Sequence, residues 1–270
     1  MRKWTLASMG LLIALTLWSC KGDQQEQTQQ PPSPQPPTTT TEQPSTAPAG
    51  PPPAPTDGTA TIYGTVKFEG TPPKPEPINM GAELQCAAMH PQPPTREDLV
   101  VNNNGTLRWT LVYVKSGLPA NYKPTVPSEP AVLDQQGCMF HPHVIGVVAG
   151  QKVIFRNSDP VLHNTRGTSK NNGSFNYTQP QKGQESEHVC KNPELGIKTV
   201  CDVHPWMVSY IHVLPHPFFA VTGEDGSFTI KGLPPGKYTL EFVHEKLGTK
   251  TVEVEAKANA VAQTEVKFSQ

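Results

Sequence analysis

The chain has 270 residues, room for one or two domains, and its 31 prolines and 21 glycines together approach a fifth of it. Lys and Arg number 22 against 23 Asp and Glu, a formal net charge of −1, and no Lys/Arg-rich run occurs. Nothing here supplies the basic field that nucleic-acid binding needs, so that class is excluded.

The first residues read as an export signal. Arg2 and Lys3 form a charged start, Leu6 to Trp18 an apolar run too short to span a bilayer, and Ser19 and Cys20 follow. Leu17-Trp18-Ser19-Cys20 resembles a bacterial lipoprotein cleavage box, which implies a signal peptide over 1–19 and a lipidated Cys20 as membrane anchor. An ordinary secretory signal is the alternative. Each acyl methylene buried in the bilayer adds about 0.8 kcal/mol, so several chains on one residue hold firmly. Lys21 follows the cysteine in place of an Asp retention signal, and points to the outer membrane, facing the periplasm or the cell surface. Residues 20–58 are Gln, Pro, Thr and Ser without apolar periodicity, a disordered tether that reaches on the order of 100 Å when extended.

Beyond residue 58 the pattern is β almost throughout. Thr61–Phe68 and Thr106–Val114 alternate, the second after an Asn-Asn-Asn-Gly turn signal ending at Gly105. Shorter runs follow at Ala131–Leu133, Val144–Val148, Lys152–Phe155, Ile197–Val200 and Val208–Leu214, then Ser227–Ile230, Tyr238–Val243, Thr249–Val254 and Thr264–Phe268. Gly, Asn, Asp and Pro separate them, and only Gly81–Met89 hints at a helical turn. The expected class is an all-β sandwich architecture.

The chemistry concentrates in Cys201, His204 and Met207, spaced by three residues in one short loop, with His163 standing 38 positions before Cys201. Two imidazoles, one thiolate and a weak axial thioether make up a blue-copper electron-transfer site. Soft sulfur selects copper, while imidazole accepts both of its oxidation states. Four protein ligands leave no open position for a substrate, so the reading is a carrier of single electrons and not an enzyme. Singly, each ligand has a plainer explanation: a turn histidine, a core methionine, half a disulfide.

Val148–Asn164, a strand ending in Asn157-Ser158-Asp159 with His163 on the next loop, resembles the first ligand segment of the cupredoxins. Ile197–Tyr210 resembles the C-terminal ligand loop of that family, in a short Cys-x-x-His-x-x-Met form like that of amicyanin and pseudoazurin. The resemblance covers about 131–214. It implies a Greek-key sandwich with one type 1 copper on His163, Cys201, His204 and Met207, and with Asn164 tying the two ligand loops together. Pro205 and Trp206 suggest an apolar rim where an imidazole edge meets a redox partner in a small, transient contact.

With Cys20 assigned to lipid and Cys201 to copper, Cys86, Cys138 and Cys190 remain, an odd number for an oxidising compartment. A Cys86–Cys138 disulfide is favoured, with 86–190 and 138–190 open. The alternative is a second metal region built from Cys86, His90, Cys138, His141 and His143.

Gly223–Leu240, with its Asp225-Gly226 turn and Leu233-Pro234-Pro235-Gly236, resembles the carboxypeptidase regulatory-like, or transthyretin-like, β-sandwich. The opening strand of that family is similar to Tyr63–Pro73. The implied organisation is a small sandwich split over 59–125 and 215–270 with the copper sandwich, 126–214, inserted. No His-Glu-x-x-His occurs, so nothing suggests a zinc peptidase. The function that follows is electron carriage in the bacterial cell envelope; copper binding and delivery without electron transfer, and a purely structural surface lipoprotein, are the alternatives.

Overall fold

A computed structural model describes residues 51–53, 55 and 57–270. The signal peptide, Cys20 and the tether lie outside these residues, apart from a few at the tether's end. Strand β1 is Ala60–Glu69, followed by the five-residue helix α1, Leu84–Ala88, and by β2, Leu111–Ser116. Then come β3 Ala131–Gln136, β4 Met139–His141, β5 Val144–Val148, β6 Lys152–Asn157, β7 His163–Thr168, β8 Phe175–Gln179, β9 Glu185–Val189, β10 Glu194–Val200 and β11 Val208–Leu214. The last five are β12 Phe219–Val221, β13 Ser227–Leu233, β14 Gly236–His244, β15 Gly248–Ala256 and β16 Ala260–Ser269.

These strands form four sheets among the described residues. Two draw on both ends of the chain, β13-β1-β16 and β12-β2-β14-β15; two are built only from the middle, β5-β11-β10-β7-β8 and β4-β3-β6-β9. Alternation explains the layering. In β1 the side chains of Ile62, Val66 and Phe68 are buried, and they join Leu107, Val112, Leu240 and Phe242 in one core. A second core gathers Leu133, Val153, Phe155, Ile197 and Ile211 from the middle sheets. Ile78, Met80 and Cys86 also enter this second core, although the sequence reading placed 59–125 wholly with the flanking sandwich.

The expected strand over Thr106–Val114 is interrupted. Trp109 adopts φ 63, its backbone N–H donates to the Thr222 carbonyl, and its indole N–H donates to Glu97 Oε1 at 3.2 Å. Regular pairing therefore begins only at Leu111. His163, expected on a loop, is the first residue of β7 and pairs with Gln179 of β8.

Asp225 and Gly226 dock against the 102–106 turn, where Asn104 Nδ2 and Thr106 Oγ1 each donate to the Asp225 carbonyl at 3.1 Å. Gly226 sits at φ +68, and a Cβ there would fall inside the Thr106 side chain. Gly226→Ala is expected to cost about 1–3 kcal/mol, seen as a lower urea midpoint. An unchanged midpoint would refute the packing argument.

Candidate metal centre

The five-stranded middle sheet brings the ligand residues together at one end. β7 delivers His163 at its first residue, while the turn joining β10 to β11 delivers Cys201, His204 and Met207. That turn closes on itself: the Met207 N–H donates to the His204 carbonyl at 2.9 Å, and the Cys201 N–H to the Met207 carbonyl at 3.3 Å. His163 and Met207 are fully buried, and Cys201 and His204 nearly so.

His163 Nδ1 lies 3.0 Å from His204 Nδ1, and Cys201 Sγ lies 4.0 Å from the first and 3.7 Å from the second. A point equidistant from these three atoms is about 2.1 Å from each, close to the bond that a first-row metal makes with imidazole nitrogen. The triangle is thus ready for a trigonal His2Cys ion, with the buried thioether of Met207 in the same core. Burial pushes the Cys201 thiol up, but hydrogen bonds from His163, His204 and the Asn164 backbone outweigh it and bring the thiol down to about 6. The sulfur is therefore a thiolate at neutral pH, the form a metal binds.

Asn164 bridges the two ligand segments. Its Oδ1 accepts from the Asp202 N–H at 2.7 Å, its Nδ2 donates to Asp202 Oδ2 at 2.9 Å, and its own N–H points at Cys201 Sγ at 3.5 Å. Arg166 adds a salt bridge to Asp202 at 2.8 Å.

Asp159, to which the sequence reading gave no role, is a central element. His163 Nε2 donates to its Oδ2 at 2.9 Å, the Cys138 N–H donates to the same oxygen at 2.7 Å, and the Gly137 N–H to Oδ1 at 2.7 Å. Burial pushes the carboxyl up, yet these bonds hold it below the ordinary carboxylate range. Because Asp159 accepts from Nε2, Nδ1 is the nitrogen of His163 that faces Cys201 and His204 and is free to take an ion. A carboxylate four residues before a ligand histidine is the local signal for it. Asp159→Asn is expected to lower copper affinity about 10–100-fold, as read by competition with a chelator; equal affinity would exclude this orienting role.

Cys86 and Cys138 are joined by a disulfide, and Cys190 and Cys201 are free. Burial pushes the Cys190 thiol up to about 11, so it is unreactive at neutral pH. The residues proposed for a second metal region are spent elsewhere: His90 Nε2 meets the Gly137 carbonyl at 2.7 Å, His141 the Gln136 carbonyl at 3.2 Å, and His143 pairs with Glu245 and the Val208 carbonyl. These three histidines do not converge.

The sequence suggested an exposed imidazole edge, but His204 is only 2 % exposed. Both sulfurs of the disulfide lie within 4.8 Å of one of its ring nitrogens, and Trp206 tilts against it at 5.4 Å between ring centroids. The Trp206 indole N–H in turn donates to the Cys138 carbonyl at 2.9 Å, so the disulfide turn and the ligand loop hold each other in place. Exposed apolar side chains instead sit beside these residues in the chain: Leu162 (42 %), Val203 (40 %) and, in α1, Leu84 (77 %).

No family model and no curated protein match the chain. Among solved structures, 31 % of the chain is similar to a purple cupredoxin from Nitrosopumilus maritimus, at 24 % identity over 99 % of that protein, with a TM-score of 0.28. A copper-containing nitrite reductase from Thermus scotoductus SA-01 is 21 % identical over 37 % of this chain and 25 % of its own, with a TM-score of 0.29. Amicyanin from Paracoccus versutus is 18 % identical over 38 % of this chain and 97 % of its own, with a TM-score of 0.29.

Proposed function

We propose that this protein is a one-electron carrier with a type 1 copper centre on His163, Cys201, His204 and Met207, of the cupredoxin type, anchored through Cys20 in the bacterial cell envelope. The observation that carries the proposal is the preformed triangle of two Nδ1 atoms and one sulfur, sized for a single ion without further movement. Copper in such a set supplies the Cu(II)/Cu(I) couple. The protein contributes rigidity. Asp159 fixes His163, Asn164 ties the two ligand segments, and the closed 201–207 turn holds the remaining donors. Ligands that keep their places in both oxidation states keep reorganisation small. A redox partner would meet the apolar side chains of Leu84, Leu162 and Val203 in a brief encounter. The test is to add one equivalent of Cu(II) and record the visible spectrum and the voltammogram. An intense thiolate-to-copper band with a reversible one-electron wave is expected; a colourless copper complex would defeat the electron-transfer reading.

A further inference from the structure

The Cys86–Cys138 disulfide is not remote from the ligand set. Both sulfurs and a ring nitrogen of His204 lie within 4.8 Å of one another, and all three residues are buried. A structural disulfide needs no imidazole beside it. We propose that this bond is the closed form of a second, redox-gated copper site: when it is reduced, Cys86, Cys138 and His204 bind a cuprous ion.

The donor set argues for that ion. Two thiolates and one imidazole are soft ligands, the class that takes Cu(I) or zinc. Zinc wants a fourth ligand. Asp159 is the nearby carboxylate, but its oxygens already accept from Gly137, Cys138 and His163. The set therefore stays at three donors in a dry pocket, which suits Cu(I). His204 has two ring nitrogens, and Nδ1 is the one turned towards His163 and Cys201. The same imidazole thus belongs to both donor sets.

The chemistry balances simply. A dithiol reductant is oxidised to its own disulfide while the Cys86–Cys138 bond takes up two electrons and two protons. Cu(I) then displaces both thiol protons. Helix α1, which carries Cys86, is five residues long, with no side-chain cap at its start and an exposed Leu84. Reduction would thus switch the protein from a carrier with one sealed site to a form that accepts copper. The switch shares His204 with the proposed carrier site, but the two readings fail in different experiments.

The test uses the full chain carrying Cys201→Ser, which leaves two imidazoles and no thiolate at the first site, a set that a strong cuprous chelator strips of Cu(I). Cu(I), supplied as its acetonitrile complex, is offered to oxidised protein and to protein reduced with a phosphine, which takes its oxygen from water as the disulfide opens. After competition with a cuprous chelator, the reduced variant is expected to retain one equivalent and the oxidised variant none. The further change Cys86→Ser with Cys138→Ser is expected to abolish retention. Equal retention by oxidised and reduced protein would overturn the proposal, as would retention that survives loss of both cysteines. If Cys201→Ser does not fold, X-ray absorption on wild-type protein loaded with Cu(I) decides. Reduction must raise the number of short thiolate contacts per copper above the single one that Cys201 supplies, the long Met207 thioether being counted apart, and an unchanged number would overturn the site. Failure of the carrier reading is seen separately, as a missing blue band in oxidised wild-type protein with Cu(II).

Discussion

Replacing Cys201 by serine is expected to abolish the intense visible band of the Cu(II)-loaded protein and its reversible one-electron wave, while Met207→Leu keeps the band. Cys201 is held near pKa 6, so its sulfur is anionic at neutral pH before any metal arrives. A serine hydroxyl in the same place stays protonated and offers a hard oxygen. The two Nδ1 atoms, 3.0 Å apart, would still face an ion, so copper can remain bound without colour. Met207 lies in the same core as a weak axial donor, and its loss shifts the potential more than the spectrum. Colour persisting in Cys201→Ser would exclude a thiolate ligand. Colour lost equally in Met207→Leu would show that the thioether is a principal ligand instead. Measuring copper content beside the spectra separates loss of colour from loss of metal.

Acid is expected to destabilise the metal-free protein well above the range where its carboxylates titrate. Burial lowers His212 from its ordinary 6.5 to about 4, and His244 to about 4 as well. His212 accepts from the Gly196 N–H at 3.2 Å, and His244 from the Lys246 N–H at 3.2 Å, bonds that need a neutral ring. Above pH 6.5 neither state carries the extra protons, and the stability is fully present. Between 6.5 and about 4 the unfolded chain takes them up and the folded protein does not. Stability therefore falls as the pH drops, by about 1.4 kcal/mol per unit for each group and on the order of 5 kcal/mol for the two together. Opposing this, hydrogen bonds that the His163 ring makes to Asp159 and Cys201 outweigh burial and raise His163, a gain on acidification. Urea midpoints near pH 7 and near pH 4.5 should differ sharply, and His212→Gln should flatten the difference. Equal midpoints would mean that these imidazoles are solvated in the folded state.

Where a strand buries one face, its sequence was readable. β5 and β11 span the short runs read from the sequence, and β1, β14 and β15 lie within two residues of theirs at each end. β9, Glu185-Ser-Glu-His-Val, is an edge strand with every second residue exposed and no large apolar side chain inside, so nothing in its composition marks it. β8 and β12 are edge strands too, of five and three residues, too short to show a period. The donor set of the metal centre was legible because three of its members are neighbours in sequence. The surroundings were not. Asp159 acquires its role from the Gly137 and Cys138 amides, and His204 is covered by a disulfide to Cys86, more than a hundred residues upstream. The Asp159–His163 spacing is a local signal, but the partners that hold Asp159 and cover His204 come from distant segments and leave no local pattern.

The parallel pairing of β1 with β16, unbroken from Ala60 with Ala260 to Glu69 with Ser269, sets an order of assembly. While the chain is being made or exported, β3 to β11 are complete long before the final ten residues emerge, so the metal-binding half can close early. β1 must wait, its other neighbour β13 arriving only shortly before β16. Until release of the C-terminus, one long edge of β1 stays open to other strands. Deleting β16 would therefore leave the ligand loops intact and turn the open edge of β1 into a site of self-association.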